Sequence, residues 1–369
     1  MRRRNGFLAI AALVCSAALA GACAPAGPAA TTPPAAPTPV DATPTSAGAT
    51  ATPAEASPEP EAATVRVGFH WTVPEPSWSG FITALELGYY EEENITVDFQ
   101  YLQGSAIAVQ QTGAGGVDLG VAGSDTIIGG IAEGLPLVVV ANHLQNTPTG
   151  VIYPSDREIS SFADFAGLRI STSAVGPEAP TLISRLEEAG LTVGTDVELV
   201  YVDPQAKCTV ILTGETDACT GFNNFQLLQV QQEDPGAGFI SFSTPEQPLI
   251  GHSIFANQSY AEQNGEVIRR FLRATMRGFI EADRDLDAAL DHLIAANPEG
   301  DREFLMQGLE VTHEQLLRSE RTDENGWGWM EDQPWQNFVD LLLSGEIIQE
   351  AVPASEIYTN DYLPEDRDF

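Results

Sequence analysis

Between Val65 and Phe255, short β-type runs alternate with segments of helical period, and the alternation restarts once, after Pro154. This pattern narrows the fold more than any other feature. Strands that alternate with helices of about ten residues build a mostly parallel sheet with helices on its faces. The first series predicts strands at 65–69, 95–101, 117–122, 137–141 and 150–153. Its helices start at Ser77 or Ser79, at Ser105, and at Ser124 or Asp125, which are good N-cap residues. The second series predicts strands at 168–171, 197–202, 217–220 and 238–242, with a helix over 179–189. Asp203-Pro204 reads as a helix start reaching to Gly214, with Asp as cap and Pro in the first turn. Asn223 or Asn224 caps the next helix. From Glu266 onward the chain reads as helical, with apolar stripes such as Val267, Ile268, Phe271, Leu272, Thr275 and Phe279. No internal repeat is evident. The fold class is therefore α/β with two lobes, 64–155 with 250–369 and 156–249. They are joined by two crossings near 154–160 and 243–252, which make a hinge with a ligand cleft between the lobes.

The residues before Thr64 belong to a different physical class. Arg2, Arg3 and Arg4 precede an apolar run from Phe7 to Ala20, and Ala20, Gly21 and Ala22 lead into Cys23. A short basic start, a short apolar core and a small-residue cut site make an export signal over 1–22 rather than a membrane span. A cysteine after the cut site resembles a bacterial lipobox, although the usual leucine three places earlier is Ala20 and Leu19 lies one place further back. Cys23 is then the lipid attachment point and mature N-terminus. Residues 24–63 are almost all Ala, Pro, Thr, Ser, Gly and Glu, without an aromatic residue. Such a stretch cannot bury enough surface to offset its chain entropy and acts as a tether.

The formal charge is −35, and Lys207 is the only lysine. That balance repels nucleic acid and anionic lipid, so nucleic-acid binding is excluded. Cys208 and Cys219 remain after Cys15 and Cys23 are assigned to the exported segment. They fit either a disulfide of an oxidising compartment or two buried thiols.

Further residues carry a family resemblance. They are Val65 to Trp71 (Val-Arg-Val-Gly-Phe-His-Trp), Gly80-Phe81, Ala84 to Ile95, Gly115 to Ala122 (Gly-Gly-Val-Asp-Leu-Gly-Val-Ala), Gly134-Leu135-Pro136, Phe165 to Arg169, Leu212 to Ala218 and the tail Tyr358 to Leu363. Together they resemble ABC-importer substrate-binding proteins of the thiamine-pyrimidine, riboflavin, sulfonate and nitrate group. The resemblance implies a periplasmic-binding-protein fold of type II, a permease and ATPase as partners, and a monomer on the extracytoplasmic face of the cell membrane. Trp71, Gly221-Phe222-Asn223-Asn224 and the tail resemble the vitamin branch. Pyrimidine binders show Asp-Trp-x-Pro-Asn-x-x-His-x-Gly in the first loop. Here His70, Glu75 and Trp78 stand at the Asp, Asn and His places, and the loop is one residue longer. A larger ring such as a flavin is therefore a rival to a pyrimidine.

In α/β sheets ligands sit beyond the carboxyl ends of strands, where helix N-termini present N–H groups. This selects Trp71 and Trp78 for stacking on a flat ring, and Gln103, Ser124, Asp125, Ser171, Ser173, Asn223 and Asn224 for polar contacts. Trp327, Trp329 and Trp335 read as packing. His70, His143, His252, His292 and His313 show no metal-ligand spacing, and Gly251-His252-Ser253-Ile254-Phe255 lacks the second glycine of a nucleophile elbow. No cofactor, no metal and no enzymatic step is expected. The expected function is a lipid-anchored receptor for a flat vitamin or vitamin precursor. The alternative is a small anion such as an alkanesulfonate or nitrate, which calls for a cleft arginine.

Overall fold

A computed structural model of the chain describes residues 60–174 and 177–367. The expected signal peptide at 1–22, Cys23 and nearly all of the tether lie outside the described residues. Among the described residues, ten strands form two five-stranded sheets. They are β1 (Ala63–Phe69), β2 (Ile95–Tyr101), β3 (Leu119–Gly123), β4 (Leu137–Asn142), β5 (Thr149–Tyr153), β6 (Arg169–Ser173), β7 (Glu198–Val202), β8 (Ala218–Phe222), β9 (Gly238–Ser241) and β10 (His252–Asn257). The first sheet has the order β2-β1-β3-β10-β4 and the second β7-β6-β8-β5-β9. Both are mixed rather than mostly parallel. β10 runs antiparallel to β3 and β4, and β5 runs antiparallel to β8 and β9.

The strand at 149–153 is a correction. Sequence order groups it with the preceding strands, yet it pairs wholly within the second sheet. The chain therefore crosses at 143–148 and returns at 242–251. Periodicity marks a strand but not its neighbours, and Gly150 decides this pairing. A Cβ there would lie 2.2 Å from the Ile240 carbonyl oxygen and 2.5 Å from the Phe239 ring, so only glycine lets β9 come so near. The two crossings also bond to each other. Leu144 N–H donates to the His252 carbonyl at 3.1 Å, Gly251 N–H to that of Leu144 at 2.9 Å, and Thr147 N–H to that of Leu249 at 3.1 Å.

The lobes share a device invisible in the sequence. Arg66, early in β1, donates its backbone N–H and Nε to Asp118 Oδ2 at 2.9 and 3.1 Å, and Nη1 to the Gly116 carbonyl at 2.6 Å. In the second lobe Arg169, at the start of β6, donates N–H and Nε to Asp217 Oδ2, both at 3.0 Å, and caps the carbonyls of Glu215 and Gly214. Each clamp joins one parallel strand to the turn that feeds its neighbour. It is a structural repeat despite the lack of a sequence repeat.

Three other expectations change. Asp203-Pro204 opens a turn, and only Thr209–Leu212 is helical. Asp203 Oδ1 accepts from Gln205 N–H at 2.9 Å, while the Lys207 carbonyl accepts from Ser171 Oγ and Cys208 is bonded to Cys219. These ties pull the segment off a helical path. The disulfide settles the cysteine alternatives, with Cα atoms 5.3 Å apart, an ordinary span for such a bridge. Ser77 and Ser79 do not cap the helix Ser79–Glu86. Their hydroxyls go to Glu75 and to His313 Nε2.

The helix Asp332–Ser344 packs on both lobes. It contacts the helices Ser124–Ala132 and Glu178–Glu188, and its Trp335, Phe338 and Leu341 join one apolar cluster holding Ile127 and Val139 from one side and Val151 and Leu182 from the other. Trp327 and Trp335 are fully buried packing residues. The tail closes a sheet edge, since Tyr358 bridges to Val139 and Thr359 N–H donates to its carbonyl. The helices Ser79–Glu86 and Gly265–Arg284 cross at Gly80 and Gly278, where a Cβ on Gly278 would lie 2.0 Å from the Gly80 carbonyl. No helix among the described residues is long and apolar enough to cross a membrane.

Gly278→Ala should cost about 1–3 kcal/mol of stability through overpacking, outweighing the gain in helix propensity of about 1 kcal/mol. Gly129→Ala, in a helix with open space around it, should stabilise slightly. Denaturant midpoints of the two variants on the same side of the parent would refute the close crossing.

Candidate functional site

A cavity of about 260 Å³ opens at the carboxyl ends of the strands, between the lobes. The first lobe supplies the ends of β1, β2 and β3. His70 and Trp71 follow β1, Gln103 and Ser105 follow β2, and Ser124 and Asp125 begin the helix after β3. The crossings supply Thr147 and Ile250, and the first residues of β5 and β10 supply Thr149 and His252. The second lobe supplies Glu178, at the start of its helix, and Phe222, at the end of β8, while Phe338 of the bridging helix closes the back.

The expected site residues divide into three groups. Trp71, Gln103, Ser124 and Asp125 line the cavity. Ser124 is committed to the scaffold, because its hydroxyl donates to the Gly251 carbonyl at 2.6 Å and lies 2.8 Å from Ser253 Oγ. The second group sits in the cores. Trp78 is fully buried, stacked on Tyr101 at 5.7 Å and packed on Phe69 at 4.5 Å. It ends the short turn Pro76–Trp78 ahead of the helix Ser79–Glu86, and its packing on Phe69 and Tyr101 turns the ring into the core. Ser171 is also buried, spent on the Lys207 and Ala218 carbonyls and the Thr216 hydroxyl. Ser173 is buried at the end of β6 and does not line the cavity.

Asn223 and Asn224 form the third group. They neither line the cavity nor cap a helix. Asn224 Nδ2 donates to Thr312 Oγ1 at 3.2 Å and Asn223 Nδ2 to Gln315 Oε1 at 3.3 Å, and the Phe225 ring meets Phe304 edge-on at 5.3 Å. These contacts latch the second lobe to the late helices of the first. The helix Gln226–Glu233 has no side-chain cap, and Gln226 Oε1 accepts from Phe222 N–H at 2.9 Å.

Residues that sequence reasoning missed give the cavity its character. Glu178 pairs with Lys207 and accepts from Thr220 Oγ1 at 2.7 Å. Its only sequence signal is its place in the first turn of a helix. Asp125 makes no ion pair among the described residues. Its Oδ1 accepts from Thr126 N–H at 2.6 Å, but burial, aided by the Glu178 charge, pushes its carboxyl up to about 6. None of the described residues lining the cavity is an arginine or lysine.

The histidines are packed tightly. The His70 and His252 rings stand 4.3 Å apart at the cavity floor, and His70 Nε2 is 3.4 Å from Glu75 Oε1. Burial pushes the Glu75 carboxyl up, but the His70 contact and neighbouring charges outweigh it and hold it below its usual value. Burial and then His70 hold His252 well below the ordinary histidine value, so it is neutral. His143 lies behind, against Phe81 and Phe279, and burial lowers it to about 3.

A family model described as "NMT1/THI5 like" matches residues 75–288. The chain belongs to the NMT1/THI5-like family. Among related sequences, the formylaminopyrimidine-binding protein of Halalkalibacterium halodurans is 23% identical over 301 residues, covering 80% of this chain and 90% of that protein. The 4-amino-5-hydroxymethyl-2-methylpyrimidine phosphate synthase of Legionella pneumophila is 26% identical over 310 residues, covering 79% and 89%. The riboflavin-binding protein RibY of Chloroflexus aurantiacus is 22% identical over 299 residues, covering 79% and 84%. Among solved structures, the periplasmic aliphatic sulphonate binding protein of Escherichia coli superposes with a TM-score of 0.64 at 17% identity, covering 81% of this chain and 92% of that one. At that identity the likeness concerns the fold alone, which is α/β and two-lobed. The NMT1/THI5-like member described here thus has the expected architecture.

The raised Asp125 carboxyl gives a pH signature. The folded state holds that proton more tightly than the unfolded chain does. The destabilisation is absent below about pH 4, grows as pH rises towards 6 and is complete above it. Asp125→Asn should therefore be more stable than the parent by about 1–3 kcal/mol at pH 7.5, with the gap closing near pH 4. A gap independent of pH in urea titrations would rule this out.

Proposed function

We propose that this chain is the extracytoplasmic solute receptor of an ABC importer, and that its ligand is a small flat heterocycle bearing amino groups, of the aminopyrimidine class. The observation that carries this reading is the composition of the cavity wall. It combines Trp71 and Phe222 with two carboxylates, Asp125 and Glu178, and no arginine or lysine among its described residues. Aromatic faces suit a flat ring, and carboxylates accept from exocyclic amino groups. A sulfonate or nitrate would meet acceptors where it needs donors, so the anion alternative loses its chemical basis. The volume of about 260 Å³ falls just below the range of about 300–1,000 Å³ typical of drug-sized ligands. A single ring fits that space better than a three-ring flavin.

The mode of action is clamshell closure. Ligand contacts to Asp125 on one lobe and Glu178 and Phe222 on the other favour the closed state, which the Asn223 and Asn224 latch also favours. The closed form is presented to a membrane permease and its ATPase, and the ligand leaves unchanged. Lipid attachment at Cys23 would hold the receptor beside the permease as a tethered monomer. The synthase relative is the reason to check the ligand's fate chemically.

Isothermal titration and thermal-shift measurements on the mature chain test the reading, with formylaminopyrimidine, hydroxymethylpyrimidine, riboflavin, an alkanesulfonate and nitrate. An aminopyrimidine should stabilise the protein by mass action and be recovered intact. Stabilisation by the sulfonate alone, or recovery of a different compound, would overturn the proposal. Trp71→Ala should abolish the thermal shift if stacking dominates, and an unchanged shift would remove that role. Asn224→Ala should weaken binding about 5- to 10-fold, the worth of one net hydrogen bond of about 1 kcal/mol that favours closure. Undiminished affinity would mean that the latch does not assist closure.

A further inference from the structure

We propose that His70, Glu75 and His252 form a binding site for a divalent first-row transition ion of the zinc type at the floor of the cleft. One nitrogen from each imidazole and one Glu75 carboxylate oxygen lie within 4.8 Å of one another. His70 Nε2 and Glu75 Oε1 are already 3.4 Å apart, the edge expected between donors at bond lengths of about 2.0–2.1 Å in a tetrahedral site. A contraction of roughly an ångström completes the triad. Glu75 can supply it, since it follows the irregular loop after β1 and precedes the short turn Pro76–Trp78.

The chemistry of the three residues points the same way. Both imidazoles are only 6% exposed, and His70 Nδ1 and His252 Nδ1 have no hydrogen-bond partner. A buried polar atom left unpaired costs about 1–3 kcal/mol, which an ion bound at His252 would offset, whereas His70 reaches Glu75 through Nε2 and offers that nitrogen to the triad. Glu75 has no arginine or lysine partner among the described residues, and His70 is its only basic contact. One buried carboxylate with two imidazoles is the donor set of a hydrolytic or structural zinc-type site, with nitrogen and oxygen ligands that suit zinc better than magnesium or calcium. His143 is not a ligand, because its ring is 6.3 Å from that of His252 and walled in by Phe81 and Phe279. His70 and His252 also line the cavity, so the open fourth position faces the guest. A ring nitrogen could complete the coordination. That last step rests on the pyrimidine reading, whereas the metal site itself does not.

The test uses the full mature chain stripped with a chelator and titrated with Co²⁺ or Zn²⁺ alone. One ion per chain is expected, with the visible d–d absorption of low-coordinate cobalt and a higher melting temperature with zinc. Glu75→Gln and His252→Asn should each weaken binding by about 100-fold or more, given that loss of even an outer partner costs about 10–100-fold. His292→Asn, outside the triad, should leave it unchanged. If one variant fails to fold, the other decides. A stripped parent that binds neither ion, or parent-like affinity in both triad variants, overturns the site. Pyrimidine bound with full affinity in the presence of chelator would keep the receptor reading and remove coordination of the guest. Metal bound with no response to any pyrimidine would keep the metal site and remove the pyrimidine reading.

Discussion

The two chain crossings are hydrogen-bonded to each other, and the cleft depends on that ribbon. Leu144 pairs with Gly251 and His252, and Thr147 with Leu249. Two strands leaving a sheet separately would let the lobes twist freely. A paired ribbon confines them to bending about one axis, which is what hinge closure requires. The same ribbon delivers β5 to the second sheet and β10 to the first, each entering between two existing strands. It also carries Thr147 and Ile250 into the cavity wall and ends at His252, the first residue of β10, so hinge and site share residues.

On either side of the hinge the lobes repeat the same engineering. The Arg66–Asp118 and Arg169–Asp217 clamps fix the turn before β3 and before β8, and those are the strands whose far ends present Asp125 and Phe222 to the cleft. Both arginines are partly exposed, so the value of the clamp lies in geometry more than in ion-pair energy. The bridging helix Asp332–Ser344 adds a continuous apolar seam beneath the cavity. That seam forms an apolar back wall, and the Asn223 and Asn224 contacts join the lobes at the rim.

The cavity itself joins acidic and unpaired groups at some cost to stability. Asp125 is a partly buried carboxylate without an ion-pair partner among the described residues, and His70 and His252 each keep a nitrogen without a hydrogen-bond partner among them. Such features persist at binding sites because the occupant supplies the missing contacts. Trp71, Gln103 and Asp125 were legible because loops after parallel strands converge in this fold class. Glu178 and the His70–Glu75–His252 cluster were not, because each brings together residues from distant parts of the chain. Glu178 opens a helix of the second lobe, and Glu75 reaches His252 across 177 positions.

Strand and helix periodicity, the restart after Pro154 and the family motifs sufficed to set the α/β class, two lobes and a cleft at the strand ends. These are local or compositional properties, and the chain carries them without knowing its neighbours. Pairing is a different kind of information. The membership of β5 in the second sheet, the burial of Trp78 and Ser171, the use of Asn223 and Asn224 as a latch, and the Cys208–Cys219 bond all depend on what stands opposite. A side chain at a strand end can face cavity, core or rim with the same residue type, and only packing against distant elements selects among them.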